Sequence, residues 1–191
     1  MNQLYPIFLK SNRLHFLIVG GGNVAYEKLF FLLKSSPQAK ISLVAPLIRE
    51  EVLELAKQYD ITLYDDQYAP SYLEGKQIVI ATTDSPEVNH QVYQDARARQ
   101  LLVNVADTPD LCDFYLGGIV TKGNLKIAIS TNGKSPTFAK RLRQLFESIF
   151  PDNMDELLLN LHRYRSTLQL SFEDKVDRMN TLTQELIGKH D

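Results

Sequence analysis

Apolar positions along the chain fall into short unbroken runs, and the stretches between them carry helical spacing. The first run covers residues 14–19 and ends in Gly20-Gly21-Gly22. An amphipathic stretch, 23–35, follows without a linker, and Ser35-Ser36-Pro37 breaks it. Residues 41–45 form a continuous apolar strand stopped by Pro46. Over 49–59, Val52, Leu53, Leu55 and Ala56 recur at helical spacing. Residues 61–64 alternate like a third strand, and 78–81 read as a fourth, buried on both faces. Ser85-Pro86-Glu87 then opens a helix, with Ser at the cap and Pro in the first turn. Residues 101–105 make a fifth strand. Nearly continuous apolar strands joined by helices predict a parallel sheet covered on both sides.

The pattern changes after Pro109. Residues 115–121 and 125–131 are strand-like on either side of Lys122-Gly123-Asn124, which predicts a β-hairpin. Residues 132–136 form a turn into a helix whose apolar face is Phe138, Leu142, Leu145, Phe146 and Ile149. Pro151 ends it. Residues 153–189 hold no Pro and no strand-like run, so two or three further helices are expected. The fold class is α/β: a Rossmann-like parallel sheet, a small α+β region and a C-terminal helical tail. The corresponding division is 1–112, 113–150 and 151–191.

Composition narrows the class. The 191 residues are 44% apolar and 23% charged with a net charge of −2, as in an ordinary globular protein. Any anion site must therefore be a local cluster. Cys112 is the sole cysteine, so an internal disulfide or thiolate metal site is excluded, and the residue reads as packing. His15, His90, His162 and His190 are scattered without metal-ligand spacing, and His15 reads as structural. No metal site is expected. Basic and aromatic residues do not interleave as in nucleic-acid readers. No secretory signal and no apolar run of membrane-spanning length is visible, so the expected location is cytoplasmic.

The junction at 20–25 carries the strongest chemical signal. Gly20-x-Gly22-x-x-Ala25 between a strand and a helix is the dinucleotide-binding fingerprint with Ala in third place. Gly20 permits the tight turn, Gly22 lets backbone approach a pyrophosphate, and Ala25 lets the helix pack on the strand. The helix N-terminus then faces the phosphates. The fingerprint predicts an acidic residue after the second strand, where this chain has Pro46-Leu47. Arg49 nearby reads as an exposed helix arginine rather than a partner for a 2′-phosphate. The ends of the fourth and fifth strands, Thr82-Thr83-Asp84 and Asn104-Val105-Ala106-Asp107, are polar clusters beside the expected cofactor crevice. Thr82 and Thr83 are candidates for hydrogen bonds to ribose or nicotinamide, and Asp84 for capping the next helix. Asp107 has two readings, a turn-stabilising residue or a general base. From Thr131 to Gln144 no acidic residue interrupts a stretch with Lys134, Lys140, Arg141 and Arg143. That suits carboxylates or phosphates, or it is a solvated helix face.

Taken in order, LYPIFLK, VGGGNVAYEK, LVAP, IVIATTDSPEVN, LLVNVADTPDLCDF and AISTNGKSPTFAKRLR closely resemble precorrin-2 dehydrogenases, the N-terminal module of sirohaem synthases and its stand-alone relatives. The resemblance covers roughly 3–150 and accounts for LVAP after the second strand. It implies oxidation of precorrin-2 to sirohydrochlorin with NAD⁺, in a homodimer joined through the hairpin and following helix. Some members also insert iron or cobalt. It further implies that Asn23, Val24, Pro46 and Leu47 contact NAD and that Asp107 is catalytic. Asn104, Ser130, Lys134, Ser135 and Arg141 are the candidates for contacts to the tetrapyrrole. Asn132 stands where the family often has glycine, and the chain has no room for the methyltransferase module of the fused enzymes. The competing reading is an NAD(H)-sensing module without turnover.

Overall fold

Alternation within each strand decides which layer covers which face of the sheet. A computed structural model describes residues 2–184. Strands β1 (His15–Val19), β2 (Lys40–Ala45), β3 (Ile61–Asp65), β4 (Ile78–Ala81) and β5 (Leu102–Val105) form one parallel sheet in the order β3-β2-β1-β4-β5. Helices α1 (Asn23–Ser35), α2 (Glu50–Gln58) and α3 (Pro86–Ala98) connect them, with short 3-10 turns at Ser11–Arg13, Pro70–Leu73 and Pro109–Leu111. One face carries Phe16, Ile18, Ile41, Leu43, Ile78 and Ile80 against Ala25, Leu29 and Leu33 of α1 and Val52 of α2. The other carries Leu17, Val19, Val44, Val79, Val103 and Val105 against Val92 and Ala96 of α3. The central side chains are fully enclosed. Each such Leu, Ile or Val contributes about 1.5–3 kcal/mol relative to exposure. The parallel sheet and its helical layers are those the apolar runs predict.

The helix starts follow their local signals. Pro86 occupies the first turn of α3, and the Ser85 hydroxyl accepts from Val88 N–H at 3.3 Å. Ser85 is therefore the cap. Asp84 is exposed and takes no part in it, contrary to its sequence reading.

Strands β6 (Gly118–Lys122) and β7 (Leu125–Ile129) form the expected hairpin as a separate two-stranded sheet. Helix α4 (Pro136–Ile149) follows, then α5 (Met154–Thr167) and α6 (Phe172–Thr183). His190 and the end of the expected helical tail lie outside the described residues. Contacts divide the chain into two units, one of residues 1–119 with 128–144, the other of 120–127 with 145–191. In the first, Gly117 packs so closely on Ile129 O that a Cβ has no room there. In the second, Asp155 accepts from Asn124 N–H at 2.5 Å and from its side-chain amide at 2.8 Å, and Lys122 pairs with Asp152. Tyr164 on α5 accepts from Arg178 Nε on α6 at 3.1 Å. Helix α4 buries none of its residues within this chain, and Phe138 (57%) and Ile149 (58%) stand out from it exposed. No helix among the described residues is long and apolar enough to cross a membrane.

Candidate functional site

Strand order reverses at β1, which has β2 on one side and β4 on the other. A crevice at the carboxyl ends of such neighbours is where doubly wound sheets take ligands. Backbone hydrogen bonds stitch these ends together. Gly20 N–H donates to Val44 O at 2.9 Å, Thr82 N–H to Val19 O at 2.8 Å, and Ala106 N–H to Ala81 O at 2.9 Å. Val19 lies opposite both Val44 and Ala81, and Ala81 opposite Val105. The segments beginning at Gly20, Pro46, Thr82 and Ala106 therefore leave one rim of the sheet side by side.

The three glycines answer three different demands. Gly20 has φ +117°, a left-handed conformation L side chains rarely adopt, and a Cβ there would lie 2.6 Å from Thr82 Oγ1. Gly21 is buried, and a Cβ on it would run into Leu47 O and crowd Ile48 Cα at 3.0 Å. Its carbonyl accepts from Arg49 N–H at 3.0 Å. The sequence reading gave Gly21 no task; its place in the middle of the triplet is the only local signal. Gly22 is exposed and extended, with open space within 4 Å of a would-be Cβ. It caps α1, whose first turn has neither a side-chain cap nor an acidic residue. The leading N–H groups of Asn23, Val24 and Ala25 thus remain unclaimed by side chains, with the positive end of the helix dipole behind them. Ala25 is fully buried on the sheet, as the third fingerprint position requires. These features fit a dinucleotide pyrophosphate over Gly22.

Pro46 and Leu47 form an exposed lip next to the glycines, with Leu47 82% accessible. Across the rim, Thr82 is buried and its hydroxyl donates to Val19 O at 2.8 Å. Thr83 donates its hydroxyl towards Asn89 Oδ1 at 2.8 Å and Ser85 O at 3.0 Å. Both hydroxyl hydrogens are spent inside the protein, so the side-chain donors expected from these threonines are engaged there. Asn89 went unnoticed in the sequence. It is buried on α3, its Oδ1 also accepts from Thr83 N–H at 3.2 Å, and its amide donates to Thr83 O at 2.9 Å. Its spacing from Val92 and Ala96 marks the inner face of that helix, and a polar residue on such a face was the available clue.

Asp107 follows β5 at φ +58°, exposed, in a turn closed by Thr108 N–H to Val105 O at 3.3 Å. Its carboxylate accepts no hydrogen bond among the described residues, so the turn does not depend on it. Cys112 Sγ instead braces the turn, lying 3.2 Å from Val105 O, 3.3 Å from Val105 N and 3.4 Å from Thr108 O. Burial pushes this thiol above the usual range. Asn104 is buried and donates to Phe114 O at 2.8 Å, so its amide hydrogens are likewise used within the fold.

The remaining candidates lie on the segment entering α4. Ser135 caps that helix, its hydroxyl accepting from Phe138 N–H at 3.2 Å, while Ser130 Oγ accepts from Asn132 N–H at 3.1 Å. Lys134 and Lys140 are exposed, and Arg141 reaches Gln144 at 3.1 Å. Their side-chain hydrogen bonds stay within this segment and none reaches the glycine turn. Among the described residues no three His, Cys, Asp or Glu side chains gather as a metal site.

Comparison with known proteins agrees with this geometry. Residues 7–118 match the family model described as "Putative NAD(P)-binding", and 122–149 match that of the sirohaem biosynthesis protein central region. A siroheme synthase of Pseudoalteromonas translucida (strain TAC 125) is 37% identical over 92% of this chain and 37% of its own length. One of Psychrobacter sp. (strain PRwf-1) is 40% identical over 80% of this chain and 31% of its own length. The chain thus spans about a third of the length of these relatives. The solved structure titled SirC, precorrin-2 dehydrogenase, shares the fold: TM-score 0.77, 22% identity, 94% of this chain and 89% of that one covered. With more than half its residues matched, over a span that contains the whole parallel sheet behind the glycine crevice, and with the match to the sirohaem-biosynthesis central model directly behind it, this chain belongs to the NAD(P)-binding family.

Proposed function

We propose that the protein oxidises precorrin-2 to sirohydrochlorin with NAD⁺. The observation carrying this reading is the start of α1 above Gly22, with no side-chain cap and no acidic residue, in a chain whose relatives are siroheme synthases. When bound, NAD⁺ supplies the hydride acceptor. The chain's part is to hold and to orient. The N–H groups at 23–25 receive the pyrophosphate, and Pro46 and Leu47 flank the adenosine. Asn89 keeps the Thr82-Thr83 turn rigid by bonding both edges of Thr83. Asp107 takes the proton that leaves as the macrocycle is oxidised. A carboxylate free of protein partners on the rim is available for that task. The substrate bears many carboxylates, and Lys134, Lys140, Arg141 and Ser135 are its counterparts. A second copy of the chain covers the apolar face of α4, giving a homodimer. An intracellular dinucleotide as reactant puts the protein in the cytoplasm.

The test is anaerobic incubation of precorrin-2 with NAD⁺ and, separately, with NADP⁺, following sirohydrochlorin absorbance. Formation of sirohydrochlorin is expected. NAD⁺ binding without turnover would instead make the protein a dinucleotide sensor. Adding Fe²⁺ after oxidation reports whether the same chain also inserts metal.

A further inference from the structure

Rossmann-type sites discriminate their dinucleotides beyond the second strand, where an acid suits the ribose hydroxyls and an arginine suits a 2′-phosphate. This chain has both, and they are engaged with each other. Arg49 caps α2, four residues past the end of β2, and its N–H donates to Gly21 O, which anchors it to the glycine turn. Its guanidinium meets Glu51 side-on, Nε to Oε2 at 3.0 Å and Nη2 to Oε1 at 2.5 Å. The two side chains are 40% and 48% exposed, on a segment whose backbone is bonded to the glycine turn. The fork-to-carboxylate geometry uses the donors that a phosphate would need.

We propose that the Arg49–Glu51 pair sets the preference for NAD over NADP. Glu51 withholds the arginine and puts a carboxylate next to the position of an incoming 2′-phosphate. Pro46-Leu47 explains why no acid stands directly after the strand; the acid comes from the first turn of α2 instead. This deepens the proposed function and rests on its cofactor site.

An exposed ion pair is weak, so the arginine is separable from its partner at small cost. What opposes NADP is then mainly the Glu51 charge. A unit charge about 4 Å from another in water changes affinity about fivefold, and a phosphate carries more than one. Glu51→Gln keeps the side-chain length and removes the charge. Calorimetric titration of the full chain with NAD⁺ and NADP⁺ should show a wild-type preference for NAD⁺, and in Glu51→Gln a shift of about five- to tenfold in the affinity ratio towards NADP⁺. The shift should shrink in high salt. Adding Arg49→Gln to that variant should weaken NADP⁺ more than NAD⁺, because the guanidinium pairs with the 2′-phosphate, while the part of the shift owed to the lost Glu51 charge persists. A ratio unchanged within twofold, with NAD⁺ still bound, would overturn the inference and leave the cofactor site standing. A wild-type preference for NADP⁺ would do the same. Failure of the wild-type protein to bind either dinucleotide would overturn both.

Discussion

Replacing Asp107 by Asn separates backbone from chemistry because the structure assigns each to a different part of the residue. The backbone sits at φ +58°, where Asn and Asp are the tolerated non-glycine residues. The turn is held by Thr108 N–H on Val105 O and by the Cys112 sulfur, with no hydrogen bond to the carboxylate. Asp107→Asn should therefore leave stability within about 0.5 kcal/mol of wild type. Asp107→Ala should lose about 1 kcal/mol, from forcing a Cβ-bearing residue without a polar side chain into the left-handed region. If the carboxylate accepts the substrate proton, both variants should lose about 10²–10⁴ in turnover. That corresponds to about 3–5 kcal/mol of transition-state stabilisation, several times the backbone effect. Urea unfolding gives the stability, and sirohydrochlorin formation at saturating NAD⁺ under anaerobic conditions gives the turnover. Near-wild-type turnover in folded Asp107→Asn would refute the catalytic assignment. Proton removal would then fall to water or to the substrate's own carboxylates, and the dinucleotide site would be unaffected.

Gly22→Val should fold normally, since open space surrounds a Cβ at that position, yet lose NAD⁺ binding in a calorimetric titration; a folded variant with unchanged affinity would remove the pyrophosphate site from Gly22. Light scattering at micromolar concentration should give twice the 21.8 kDa chain mass, with Ile149→Asp shifting it to the monomer, whereas an active monomeric wild type would refute the dimer. Burial holds the Cys112 thiol protonated above its usual range, so at pH 8–9 iodoacetamide should modify the folded protein more slowly than the urea-unfolded chain. The sign is that of a raised group: whatever stability the protonated thiol contributes is complete below the unfolded thiol's range and is lost as pH rises through the folded one. Equal alkylation rates would contradict that burial.

Much of the sheet could be read from the chain itself because its causes are local. A buried parallel strand is apolar on both faces, and 16–19 and 78–81 are; 41–45 departs from this once, at Ser42, whose hydroxyl oxygen accepts from Lys76 Nζ at 2.8 Å. Ser85-Pro86 starts a helix by chemistry contained within four residues, and Gly20-x-Gly22 sits on a turn that few other residues can make. Asp84 shows the limit of the same reasoning, since two neighbouring polar residues compete for one cap and Ser85 takes it. Beyond that range, tertiary structure decided. Only the strand order puts β4 beside β1 and so turns Thr82 into a clasp on Val19 O. Asn104 and Asn89 look like free polar groups in the sequence, but folding brings Phe114 O to the first and Thr83 to the second. Gly21 is required by a carbonyl at Leu47, and the dependence arises only where the loop after β2 crosses the glycine turn. A sequence records which groups a residue can offer. Whether an offered donor or charge reaches a ligand depends on the partners brought to it by distant parts of the chain.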